Sequence, residues 1–258
     1  MRAGNLVYLM SNTYIYDGTF SSLLALVSIL LKLKNNPNDI KSKLDYEPNL
    51  LDTPVYLDLG DIEEKVLSLK EKISVKVLHT MYYVYLSVDN KKELVIFYFI
   101  KNALKYNDEV FFHRNLNCVN KALKISQSVS REAHYMKGFL RFKYMKNNFY
   151  YAEMAPTNNV ISIIAKHFVR RLTKEYFVIK DVKRKVFAVY NLKDCLFLTE
   201  KDIVKFNLEL KDDEEEFEEL WKSFFKSVAI KERKNLKTQI SFMPKKYWNY
   251  MIEMEDEL

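Results

Sequence analysis

Apolar side chains recur at helical spacing through the middle of the chain. Leu116, Val119, Leu123, Val129, Ala133 and Met136 stand three, four and their multiples apart, which predicts one apolar stripe on a long helix. The opposite side of that helix carries Lys124, Gln127, Arg131 and His134. Gly138 follows the last periodic residue and is predicted to end the helix. Residues 140–146 and 149–154 then read as two strands joined at Asn147-Asn148, a β-hairpin. A second amphipathic helix is predicted over 160–172. Its apolar side is Ile161, Ile164, Ala165, Phe168 and Leu172, and its other side is His167, Arg170, Arg171 and Lys174. Two helices thus carry basic stripes to the neighbourhood of one sheet.

The flanks are read in the same way. Residues 5–10 and 13–16 are short extended apolar runs, Asp17-Gly18 is a turn, and Thr19 caps a helix starting near Phe20. Asp17 is expected to fix that turn. Residues 35–54 have no sustained period and predict a loop; residues 55–59 predict a strand. Helices are expected over 61–72, 75–87 and 94–106, with His79 packed inside the second and His113-Arg114 in a loop beyond the third. Three strands are predicted at 176–180, 186–190 and 195–199. Phe217, Leu220, Trp221, Phe224 and Val228 predict a helix across a switch from acidic to basic sequence. An exposed basic loop over 233–237 is expected next, then a last helix opening at Pro244. Lys245 and Lys246 occupy its first turn, against its dipole.

Composition narrows the class. The chain has 258 residues, 48% of them hydrophobic and 14% aromatic, enough for a folded core. The net charge of +7 favours a polyanionic partner, although the abundance of lysine also fits an A+T-rich coding sequence. Two isolated cysteines, Cys118 and Cys195, give neither a disulfide framework nor a zinc or iron–sulfur ligand set. The four glycines are too dispersed for a phosphate-binding loop, so no cofactor is expected. The apolar run at 23–31 is far shorter than the roughly 20 residues that span a bilayer. No membrane association and a cytoplasmic location are expected.

The order Arg131-Glu132-Ala133-His134-x-Met136-x-Gly138-Phe139-Leu140-Arg141-Phe142 resembles the central signature of a bacterial family assigned to DNA repair or DNA metabolism. The segments opening at Tyr16-Asp17-Gly18-Thr19-Phe20 and closing at Phe242-Met243-Pro244-Lys245-Lys246-Tyr247-Trp248 are similar to that family's two ends. The resemblance implies a role on DNA and a radical-SAM protein, encoded beside such members, as partner. Some relatives carry a uracil-DNA-glycosylase-like domain after this region. None is expected here, and base-excision chemistry is not carried over.

The expected fold is α+β and forms one family-spanning unit. It comprises a mainly helical N-terminal lobe over 1–138, an antiparallel sheet with a covering helix over 139–210, and C-terminal helices over 211–258. The expected nucleic-acid contacts are Lys124, Arg131, His134, Arg141, His167, Arg170, Arg171, Lys245 and Lys246 on phosphate, with Trp248 stacking on bases. Each of these cations could instead cap a carbonyl or pair with an acid. Two other readings stay open. Glu153 and the Asp181-x-Lys183 motif could form a Mg²⁺-dependent nuclease site, or the chain could be an adaptor for the radical-SAM enzyme that never touches DNA. Whether the basic stripes are exposed or internally paired separates the first reading from the last. The nuclease reading needs both carboxylates within reach of one metal.

Overall fold

The computed structural model describes residues 11–48, 52–202, 214–228 and 235–257. Its fold is α+β, and the chain divides into two compact units, Met1–Ser130 and Arg131–Leu258.

In the first unit, β1 (Ser11–Tyr16) is the centre of a parallel three-stranded sheet between β2 (Asp39–Ser42) and β3 (Asp52–Tyr56). Tyr14 pairs with Ile40 on one side and Val55 on the other. The segment expected as a loop therefore contains a strand. At four residues, β2 is too short to show a period, and pairing with β1 defines it. The chain leaves β1 through Asp17 and Gly18. The Asp17 carboxylate accepts the Thr19 amide at 2.7 Å and the Ser22 hydroxyl, and Thr19 caps α1 (Phe20–Lys32). Gly18 sits at φ +99°, and a Cβ there would lie 2.9 Å from Ser42 Oγ, so both backbone and space require glycine.

Helices α2 (Ile62–Lys70), α3 (Val75–Tyr85) and α4 (Lys92–Tyr106) complete that unit. Its core joins Leu23, Leu26 and Leu30 of α1 to Met81, Phe97 and Ile100. His79 corrects the expectation of a packed ring: it is exposed and lies 4.5 Å from the Tyr83 ring. His113 is half-buried against Tyr106 at 4.1 Å.

Helix α5 (Asn117–Phe139) carries the chain across the division after Ser130. The second unit is built on a five-stranded sheet ordered β4-β5-β6-β7-β8. Strands β4 (Lys143–Met145) and β5 (Phe149–Met154) form the expected hairpin, with Asn148 at φ +57° in its turn. Helix α6 (Ile161–Arg171) then crosses to β6 (Phe177–Asp181), which pairs parallel to β5. This corrects the all-antiparallel expectation, because a helical crossover returns the chain in its original direction. Strands β7 (Val186–Tyr190) and β8 (Cys195–Thr199) add antiparallel pairs.

The two faces of the sheet differ. Phe168 of α6 packs on Phe142, which packs on Phe177, so α6 covers the Phe177 face. The alternate residues Met145, Tyr151, Val178 and Phe187 form a cluster on the other face. Beyond β8 lie α7 (Glu214–Val228), α8 (Leu236–Phe242) and two 3₁₀ turns, Lys245–Tyr250 and Ile252–Glu257. Helix α8 begins inside the stretch expected as an exposed basic loop. Residues 5–10 and most of that loop's basic residues fall outside the described residues.

Gly138 does not stop α5; it lies inside the last turn, and a Cβ there would meet nothing within 4 Å. Gly138→Ala should therefore stabilise the fold by about 0.5–1 kcal/mol through the lower entropy of the unfolded chain. Chemical denaturation should show a higher midpoint with an unchanged slope.

Candidate nucleic-acid interface

Helix α5 turns its Glu132 carboxylate into the second unit, where the side chain is almost fully buried. The loop between β5 and α6 supplies most of its partners. The Thr157 and Asn158 amides each donate at 2.7 Å, and the Asn158 side-chain amide donates at 2.6 Å. From the C-terminal segment, the Tyr247 hydroxyl donates a short bond and Lys246 Nζ lies 3.7 Å away. Burial pulls the carboxyl upward, but the bonds from Tyr247, the two amides and the Asn158 side chain outweigh it and hold Glu132 below the usual carboxylate range. Burial, then the Glu132 bond, pushes the Tyr247 phenol well above its ordinary value.

The same loop is held from its carbonyl side. Arg184, in the turn after β6, donates to Pro156 O at 3.3 Å and to Thr157 O. Its other partner is the fully buried Asp181, at 2.9 Å. Asp181 also accepts the Lys183 and Arg184 amides at 3.1 and 3.2 Å. Arg141 belongs to a separate cluster. It donates through Nε and Nη2 to Glu253 and through Nη1 to Gly138 O, and lies over the Trp221 ring at 5.4 Å. Trp221 Nε1 donates to Glu253 at 3.1 Å. Burial raises the Glu253 carboxyl, but Arg141, its own backbone and Trp221 outweigh burial and lower it.

The basic residues sort by these contacts. Arg131 and His134 are exposed on α5, and Arg170 and Arg171 are exposed at the end of α6. His167, half-buried on α6, joins the two stripes. Burial lowers its imidazole below the ordinary value, and the positive charges of Lys137, Arg171 and Arg170 lower it further. Lys137 on α5 is therefore close enough to α6 for its field to reach His167. Among the described residues, none of Arg131, Lys137, Arg170 and Arg171 makes an ion pair. Lys124 is exposed on the stretch of α5 in the first unit.

Three expected contacts are engaged within the fold, and a fourth, Lys245, is exposed. Trp248 is only 1% exposed and donates its Nε1–H to Met243 O at 2.8 Å, so it packs with Met251 and Met254 and offers no ring to a base. Arg141 is held by Glu253. Lys246 donates to Thr157 Oγ1 at 2.8 Å and lies over the Tyr247 ring. Lys245 is exposed, 5.5 Å over the Trp248 ring. The nuclease carboxylates do not converge either. Glu153 pairs with Lys180, whereas Asp181 pairs with Met154, so the two acids leave opposite faces of the sheet. Among the described residues no group of three or more His, Cys, Asp or Glu could hold a metal.

The family model described as a domain of unknown function, DUF4130, matches residues 90–253, well over half of the chain. The chain belongs to the DUF4130 family. No curated protein matches it. The DUF4130 match takes in both carboxylate hubs, Glu132 and Glu253, and both basic stripes. Sequence reasoning passed over Glu132, although it lies inside the quoted signature, because one acid between a basic residue and an alanine has no pattern of its own. Lys137 was legible: it stands three residues beyond His134 and continues the stripe.

Two stability tests follow from these hubs. Because the folded carboxyl lies below its ordinary value, Glu132 contributes fully at neutral pH and loses that contribution as the pH falls through and below about 4.5. Glu132→Gln places an amide against two N–H donors and should cost about 3 kcal/mol at pH 7. In urea titrations, its deficit relative to the parent should shrink as the solution is acidified. Arg141→Ala leaves Glu253 buried without its cation and should cost about 3–5 kcal/mol. Its loss should appear as a lower thermal midpoint.

Proposed function

We propose that this chain is a nucleic-acid-binding accessory protein of a DNA repair or modification system, acting with a radical-SAM partner. The binding part of this reading is carried by one observation. Lys137 on α5 and Arg170 and Arg171 on α6 set their charges around the half-buried His167 imidazole, Arg131 and His134 are exposed further along α5, and the fixed charges among them make no ion pairs among the described residues. Unpaired cations raise one another's electrostatic energy, and a polyphosphate relieves that repulsion while releasing its counterions. The repair context and the radical-SAM partner rest on the resemblance of the central and terminal motifs. The separation of Glu153 from Asp181 argues against the nuclease alternative.

The reading is tested by titrating labelled single- and double-stranded oligonucleotides across a salt series. Binding should be micromolar or tighter at low salt and weaken steeply as salt rises. The double variant Arg170→Ala/Arg171→Ala should flatten the log–log slope by about one per removed phosphate contact. Failure to bind at low salt would overturn the reading and favour the adaptor role.

His167 adds a pH signature. Burial and then its cationic neighbours lower its affinity for a proton in the free protein, and a bound phosphate would oppose the neighbours' field and raise that affinity. Binding should therefore take up a proton and tighten as the pH falls from about 7.5 toward 6, through the ordinary histidine range. His167→Gln should remove most of that dependence in the same titrations.

A further inference from the structure

The face of the five-stranded sheet that α6 leaves open is not flat. The C-terminal segment at 249–252 stands over β4 and β5 and closes a cleft of about 330 Å³. This lies at the small end of ligand pockets, with room for one planar ring system and its sugar rather than a polymer.

The polar groups of the cleft divide into those already held and those available. Arg141 is held by Glu253, and Lys143 Nζ lies 2.7 Å from Glu218. With both cations paired, the cleft is poorly suited to a small free anion. Glu153 uses one carboxylate oxygen: Oε1 accepts the Tyr151 hydroxyl at 2.6 Å, with Lys180 Nζ at 3.5 Å. Among the described residues its second oxygen, the Tyr250 hydroxyl and the Asn249 side-chain amide have no hydrogen-bond partner. The Tyr250 phenol is kept protonated by burial and then by the negative charges of Glu153 and Asp181, so it remains a donor. The available set is thus a carboxylate acceptor, a hydroxyl donor and an amide offering both, set beside Met145, the Tyr151 ring and Met251.

We propose that this cleft binds a single nucleobase carrying an exocyclic amino group. A carboxylate accepts from such an amino group, as acidic side chains do from cytosine N4, and an asparagine amide reads an amino group together with a ring nitrogen. Met145, Met251 and the Tyr151 ring are nearly buried and form the apolar floor on which the edge-reading groups Glu153, Asn249 and Tyr250 stand. An oxo group in place of the amino group would face Glu153 with a second acceptor, which gives the cleft its selectivity. The site is separate from the basic patch, because α6 covers the other face of the sheet.

Cytidine and uridine differ at that one position and are the probes, titrated into the full chain by NMR or calorimetry. Cytidine should bind at least about tenfold more tightly than uridine. Glu153→Gln should erase or invert the preference, and Asn249→Ala, at an exposed position, should weaken cytidine about tenfold with thermal stability unchanged. Equal affinity for the two nucleosides, no binding of either at millimolar concentration, or an unaltered preference in Glu153→Gln would each overturn the proposal. Arg170→Ala/Arg171→Ala should leave nucleoside binding intact, and Glu153→Gln should leave the salt slope for oligonucleotides intact. The failure of one reading is thereby distinguishable from the failure of the other.

Discussion

A single buried carboxylate organises the second unit. Left alone, Glu132 would be a severe liability, since an isolated charge in a low-dielectric interior is among the most costly groups a fold can contain. It is tolerable because four donors converge on it, from the Thr157 and Asn158 amides, the Asn158 side chain and the Tyr247 hydroxyl. Those donors lie on segments that regular secondary structure would not join. One helix, one strand-to-helix loop and one C-terminal turn are brought together by the need to neutralise a single charge.

The loop at Pro156-Thr157-Asn158 has no partner strand, yet both of its edges are satisfied. Its amides face Glu132 and its carbonyls face Arg184, which is itself anchored by the buried Asp181. An irregular segment in such an environment must find partners for both sets of backbone groups. Two opposite charges supply them here, one for each edge. The loop is thereby fixed as firmly as a strand, and it sets where α6 begins and where its cationic end finishes.

Much of this architecture was legible from periodicity. The long helix with its basic side, the Asn147-Asn148 hairpin, the β6–β8 strands and the Thr19 cap all follow from local spacing and turn chemistry, and the structure contains them. What local reasoning missed depends on pairing at a distance. Strand β2 exists because β1 lies beside it, and β5 and β6 run parallel because α6 separates them. Arg141, Lys246 and Trp248 were read as contacts for nucleic acid because their side chains suit that chemistry. The structure instead holds Arg141 on Glu253 and Lys246 on Thr157, and buries Trp248 among methionines. A sequence displays what a side chain can offer but not whether a partner far along the chain has already taken it. Arg131, Arg170 and Arg171 are exposed and make no ion pair among the described residues.

The bond between Tyr247 and Glu132 joins residues 115 positions apart. During synthesis the carboxylate emerges long before its phenol. At roughly 5–20 residues per second, the interval is on the order of ten seconds. Throughout it Glu132 lacks one of its four donors. Local helix and hairpin can form in that time, but the network around Glu132 cannot close until Tyr247 is made. The chain thus carries a timer in its own connectivity, and any chaperone that attends this protein would find its longest task in that window.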